Sequence, residues 1–160
     1  ALATAVASRT YFTRFIPPRS LFDAPNSWGR YYASWPQVLR DELSPAWLGL
    51  LPRLDRIALS GHVYEKSVYS PWIQTGLEAT LRGRGINTLV VSGAETDICV
   101  LATVLGAVDR GFRVIVAADA VCSSSDQTHD AVMMLFRTRL GQQIETATVG
   151  QILAVWHDQA

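Results

Sequence analysis

Two nearly unbroken apolar runs, Thr88–Ser92 (TLVVS) and Phe112–Ala118 (FRVIVAA), constrain this chain more than any other feature. A strand with one wet face alternates apolar and polar residues. A run without alternation is buried on both faces, which requires a parallel sheet with helices above and below it. The stretch between the runs supplies the crossover: Asp97–Arg110 carries Val100, Leu101, Val104, Leu105 and Val108 on one stripe and closes at Gly111. The pattern extends in both directions. Trp72–Arg84 has helical spacing (Ile73, Leu77, Leu81) and stops at Gly83 and Gly85. Ser125 or Asp126 can cap a helix reaching about Leu140, Gln143–Thr146 reads as a short last strand, and Val149–His157 as a closing helix. Strand–helix alternation of this kind is an α/β fold, and ligands in such folds bind beyond the carboxyl ends of the strands.

The first third reads differently. Ala1–Ser8 looks like the end of a helix, and Thr10–Phe15 (TYFTRF) is rich in strand formers and halted by Pro17-Pro18. Residues 16–56 hold six prolines and read as irregular with short helical turns, a length of loop that is often functional. A short strand is expected around Ile57–Val63 or slightly later. There is no repeat and no low-complexity segment. A length of 160 residues suits one domain.

Charge and composition exclude several partners. Fourteen basic side chains balance fourteen acidic ones, so no net field draws the chain to nucleic acid or to anionic lipid. No apolar stretch approaches the roughly 18–20 residues that cross a bilayer. Cys99 and Cys122 belong to no Cys-x-x-Cys or disulfide framework, and two reduced thiols fit a cytoplasmic protein. No Gly-x-Gly-x-x-Gly follows a strand, which argues against a dinucleotide site; Gly83-Arg84-Gly85 precedes one instead.

The segment Thr88–Val100, TLVVSGAETDICV, holds the candidate nucleophile. Its strand ends at Ser92-Gly93 and a helix starts near Asp97, with Thr96 as N-cap and Cys99 at the third helical position. The helix dipole and the first-turn amides favour an anion there, so thiolate accumulates, and the same N–H groups face any oxyanion formed beside the sulfur. Strand, turn, nucleophile, helix is the logic of a nucleophile elbow. A lone cysteine is also commonly a small core residue, and the residues alone leave both readings open. Cys122, separated from the next helix by three serines, reads as structural.

SGAETDICVLATVLGAVDRGFRVIVAADAVCSSS resembles the core signature of the isochorismatase-like cysteine hydrolases, and Lys66 in EKSVYSPW matches that family's lysine. Thr10–Pro17 resembles the family's second strand, so the likeness covers roughly residues 1–153. The resemblance implies a three-layer α/β/α sandwich with a mostly parallel, Rossmann-like sheet. It implies a triad of aspartate, lysine and cysteine, with Cys99 attacking an electrophilic carbon and Lys66 stabilising charge. The amides of Glu95 and Cys99 would form the oxyanion hole, and a non-proline cis peptide would fall at Ala94–Glu95. It also implies a homodimer or homotetramer acting on a small-molecule substrate. The family's aspartate ends a first strand upstream of a helix like Ala1–Ser8. No aspartate precedes Thr10, so an N-terminal extension carrying that central strand is expected, with an inactive fragment or remodelled relative as the alternative.

Other residues carry two readings each. Lys66 is the one lysine among fourteen basic residues, which favours a specific role. Asp97 reads as a first-turn helix residue and Asp119 as shaping its turn. Nicotinamidase relatives place an aspartate and two histidines between the second strand and the lysine. Only His62 lies in that span, so neither a catalytic metal nor another cofactor is expected. His129 reads as a surface or interface residue, and His157 is isolated. Trp28, Tyr31, Tyr32, Trp35, Tyr69 and Trp72 either pack under the long loop or wall a substrate pocket. Tyr69 and Trp72, which follow Lys66, and Phe15 at a strand end are the pocket candidates, and Arg14 can bind a substrate carboxylate or stay at the surface. The leading expectation is hydrolysis of a C–N bond in a small amide or ureido compound through a thioester. Vinyl-ether hydrolysis and a non-catalytic protein of the same fold are the alternatives.

Overall fold

The computed structural model describes residues 7–24, 26–58 and 62–156. The chain divides into two compact units, one up to Val68 and one from Tyr69 onward.

In the unit up to Val68, β1 (Tyr11–Phe15) pairs in parallel with β2 (His62–Lys66), in register from Tyr11 opposite His62 to Phe15 opposite Lys66. Between them the chain is less irregular than its prolines suggest. It forms α1 (Asn26–Ser34), α2 (Pro45–Leu48) and α3 (Pro52–Ala58), joined by 3-10 turns at Leu21–Asp23 and Pro36–Val38. Pro36, Pro45 and Pro52 each open a helical segment, where a missing N–H costs nothing because the first amides of a helix have no partner within it. The expected strand at 57–63 therefore starts later, at His62. Of the expected opening helix only a 3-10 turn, Ala7–Arg9, falls within the described residues.

In the unit from Tyr69, β3 (Thr88–Ala94), β4 (Arg113–Cys122) and β5 (Ile144–Ala147) form a three-stranded parallel sheet in that order. The helices are α4 (Leu77–Gly83), α5 (Leu101–Asp109), α6 (Asp126–Thr138) and α7 (Val149–Val155). Val114, Val116 and Ala117 of β4 are fully buried. Val104 and Ala107 of α5, Met133 and Phe136 of α6, and Ile152 of α7 complete the core. Each of the valine, isoleucine, methionine and phenylalanine side chains taken fully out of water contributes about 1.5–3 kcal/mol. Ser125 caps α6, its hydroxyl accepting from the Thr128 amide, and Thr148 with Gln151 forms a capping box on α7.

Three boundaries depart from the sequence reading. The helix expected over Trp72–Arg84 begins only at Leu77, because Gln74 and Gly76 adopt left-handed backbone (φ 59° and 74°) that a helix does not continue through. β3 runs two residues further than expected, and β4 continues to Cys122. Among the described residues no helix is long and apolar enough to cross a membrane.

Candidate active site

The carboxyl ends of β3 and β4 form an irregular edge. Val91 lies opposite Val116, but Gly93 lies opposite Val121 and Ala94 opposite Cys122, so five steps along β4 match two along β3. Asp119, within the extra length, accepts from the Val149 amide at 2.7 Å and so satisfies the first N–H of α7, beside the Thr148 cap. Gly93 has φ 119°, a conformation closed to side chains without strain, and the peptide bond between Ala94 and Glu95 is cis.

The helix that follows starts as one π turn, Thr96–Val100, before continuing as α5. Such turns are rare and concentrate at functional sites. The N-cap is Glu95, not Thr96. Its extended backbone turns the chain, and its carbonyl accepts from the amides of Ile98 (3.2 Å) and Val100 (3.0 Å). Thr96 is already the first residue of the turn, and its buried Oγ1 lies 2.9 Å from Nδ1 of His129 instead of serving as a cap. Cys99 is accordingly the fourth residue of the turn, half-buried, its carbonyl accepting from Thr103 Oγ1 at 2.6 Å. Asp97 accepts from Ser123 Oγ (2.6 Å) and Thr128 Oγ1 (2.5 Å), and Glu95 accepts from Ser124 Oγ at 3.3 Å. The Ser123 and Thr128 bonds hold the Asp97 carboxyl below its usual range, with nearby His129 adding to the effect.

In the unit up to Val68, Phe15 and Lys66 meet at the carboxyl ends of β1 and β2. Lys66 is 5% exposed; its Nζ donates to the Val68 carbonyl at 3.1 Å and lies 5.2 Å from the Phe15 ring centroid. A buried lysine is uncommon and has to be held by partners. His62 sits at the opposite end of the strand pair, stacked on Tyr11 at 5.1 Å. Arg14 is engaged by Glu65, which favours its surface reading. Trp28 packs on Phe15, Tyr31 and Tyr32 with ring centroids 5.8–6.0 Å away, and Tyr32 is buried, so these rings act as packing under the loop. Trp35 remains over half exposed.

Of the pocket candidates in the other unit, Tyr69 is 39% exposed, whereas Trp72 is a core residue. Its indole stacks on Phe112 at 5.6 Å and donates to the Thr103 carbonyl at 2.9 Å. Phe112 precedes β4, so Trp72 lies toward the amino end of the sheet, away from the edge at Ala94 and Cys122. Nearness to Lys66 in sequence misplaced it. Ala94, Glu95 and Cys99 share that carboxyl edge. Three groups missed by spacing join them there: Ser123, the buried Thr96 hydroxyl, and His129, which is tied to the turn rather than to the surface. The Thr-Asp pair at the helix start and the triple serine after β4 were the available signals. Cys122 is exposed beside Ala94. Among the described residues no three His, Cys, Asp or Glu side chains cluster as metal ligands do.

Comparisons with known proteins agree on one family. The isochorismatase domain model matches residues 1–148. An uncharacterised isochorismatase family protein, PncA, of Bacillus subtilis is 38% identical over 97 residues, covering 59% of this chain and 53% of that protein. The ureidoacrylate amidohydrolase RutB of Methylobacterium radiotolerans is 34% identical over 94 residues, covering 58% and 36%. The chain thus spans about half the length, or less, of these curated relatives. Among solved structures, an isochorismatase family protein from Desulfovibrio vulgaris superposes with a TM-score of 0.71 at 23% identity, over 96% of this chain and 80% of that one. A nicotinamidase PncA from Bacillus subtilis does so with 0.57 at 26% identity, over 86% and 73%. Parallel strands under helices, the turn from Gly93 to Val100 and the family match over 148 residues together place this chain in the isochorismatase family.

Proposed function

We propose that this protein is a cysteine hydrolase that cleaves the C–N bond of a small amide or ureido compound through a thioester on Cys99. The observation that carries this reading is the placement of Cys99 on the first turn after the carboxyl end of β3, half-exposed, at the edge where parallel α/β sheets take their ligands. The amidohydrolase names of several relatives support the reaction class.

In the proposed reaction the Cys99 thiolate adds to the carbonyl carbon, and the oxygen takes up the negative charge beside the amides of Glu95 and Cys99. The tetrahedral species collapses, the C–N bond breaks, and the nitrogen leaves with a proton delivered by a carboxylic acid, the role the resemblance gives to an aspartate. Water then adds to the thioester, releasing the carboxylic acid and restoring the thiol. Lys66 is assigned the charge-stabilising role.

The test is ammonia release by the full-length protein from nicotinamide, maleamate, ureidoacrylate and N-carbamoylsarcosine, with mass spectrometry for an acyl adduct. Cys99→Ala is expected to lose at least about 10³-fold in turnover. A Cys99→Ala protein that turns over at the wild-type rate would falsify the nucleophile assignment.

A further inference from the structure

Three consecutive residues ahead of Cys99 are tied to the segment that follows β4. Glu95 accepts from Ser124, and the Thr96 hydroxyl meets His129. Asp97 is gripped most fully: Oδ1 takes the Ser123 hydroxyl at 2.6 Å, Oδ2 takes the Thr128 hydroxyl at 2.5 Å, and its own N–H donates to Ser123 Oγ at 3.4 Å. Both carboxylate oxygens are therefore used, one on the loop after β4 and one on the first turn of α6. Bonds to an ionised acceptor are roughly twice as strong as neutral ones. Downstream, Thr103 Oγ1 holds the Cys99 carbonyl. The main chain around the sulfur is thus held from before by Asp97 and from behind by Thr103.

A carboxylate near a thiolate disfavours that thiolate, so Asp97 does not help Cys99 by its charge. What it offers is geometry. We propose that Asp97 is a positioning residue: through Ser123 and Thr128 its carboxylate fixes the π turn and with it the placement of the Cys99 thiol. The proposal rests on the reading of Cys99 as nucleophile.

The experiment uses the full-length protein with three changes: Asp97→Ala, the pair Ser123→Ala with Thr128→Val, and Thr128→Ser as the conservative control that keeps a hydroxyl. The paired variant removes both donors while leaving the Asp97 charge in place, and Val matches Thr in shape. Two quantities are read: hydrogen exchange of the amides over residues 96–100, and the rate of iodoacetamide alkylation at Cys99 at neutral pH, resolved by peptide from Cys122. The expected result is exchange about tenfold faster and alkylation about tenfold slower in Asp97→Ala and in the paired variant, with Thr128→Ser within about twofold of wild type. Unchanged exchange in both variants overturns the proposal. So does alkylation that is unchanged or faster while exchange rises, since the carboxylate would then hold the turn without placing the thiol. A wild-type Cys99 that does not react with the reagent, in a protein whose turn still loosens in Asp97→Ala, sinks the nucleophile reading and leaves the clamp standing.

Discussion

Gly106 lies inside α5, where helix propensity favours alanine by about 1 kcal/mol, yet Gly106→Ala should destabilise this protein. A Cβ there would stand 2.3 Å from Cδ1 and 2.7 Å from Nε1 of Trp72, against an ordinary contact of about 3.5–4.0 Å, so the ring has to retreat by more than about 1 Å. It has little freedom to do so. The indole stacks on Phe112, its N–H donates to Thr103 O, and the Arg110 guanidinium lies 5.2 Å from the ring. Overpacking a filled core costs about 1–3 kcal/mol, and an indole N–H drawn away from its acceptor about 1–3 kcal/mol more. Against the gain of about 1 kcal/mol, the net loss is about 3 kcal/mol, or roughly 6–12 °C in Tm for a chain of this size. The displaced ring also frees the Thr103 carbonyl, whose residue holds Cys99, so hydrolysis should fall with stability. Thermal unfolding followed by circular dichroism measures the first effect. In a Trp72→Leu background the obstacle is gone, and the same glycine-to-alanine change should stabilise by about 1 kcal/mol. A Gly106→Ala protein as stable as wild type, or the same sign in both backgrounds, refutes the steric account.

Lys66→Met should keep the fold, with Tm within about 2 °C of wild type, because a buried ammonium is costly to desolvate and Met has a similar reach; hydrolysis should nevertheless drop by about 10²-fold or more, as kcat/KM on an accepted amide will show. Gly93→Ala forces a side chain into φ 119° and should cost about 1–3 kcal/mol in urea unfolding, an effect absent if the strand end relaxes. The folded state favours ionised Asp97, so the folded protein binds fewer protons there than the unfolded chain. That contribution is complete above the ordinary carboxylate range near pH 4 and is lost as pH falls through the lower folded value. Asp97→Asn should accordingly flatten the acid side of the stability–pH curve, measured by urea unfolding between about pH 2 and 6, and an unchanged slope there would show that the Ser123 and Thr128 bonds do not depend on charge.

Elements of the fold were readable where burial dictates composition. FRVIVAA is the buried strand its composition demands, with Val114, Val116 and Ala117 fully covered, and both pairings of the three-stranded sheet are parallel. TLVVS also forms a parallel strand, but as the outer strand β3 of that sheet its residues are half-buried to exposed rather than covered on both faces. Element ends were readable only where the determinant is local. Ser125 marks the start of α6 because its own hydroxyl accepts from Thr128. The end of β4 was not readable, since its last residues pair with β3 only after a jump in register that no feature of the segment DAVC announces. The helix expected at Trp72 failed for a related reason. Ile73, Leu77 and Leu81 have the right period, but Ile73 is half-exposed and the backbone turns left-handed at Gln74. Periodicity reports which residues want burial, not whether the backbone between them stays in one basin.

The same division runs through the candidate site. Cys99 could be singled out because its setting is contiguous: an apolar strand, a glycine, then a helix start. Lys66 could be singled out because a chain that otherwise uses arginine spends its one lysine at a strand end, where the structure buries it. The partners of the turn could not, since Thr96 and His129 are 33 residues apart and Asp97 and Ser123 are 26 apart. No helical or strand period connects them; they meet because β4 returns the chain to the edge from which β3 left it. Trp72 shows the converse error. Only Ser70 and Pro71 separate it from Tyr69, yet the space it fills is set by Gly106 on a different element. Chemistry at a strand end can therefore be read from consecutive residues, while the long-range contacts that hold its geometry come from the next crossover of the sheet, and under the proposed reading it is the grip of Ser123 and Thr128 on Asp97 that makes a thiol on this turn a nucleophile rather than a small side chain in a convenient place.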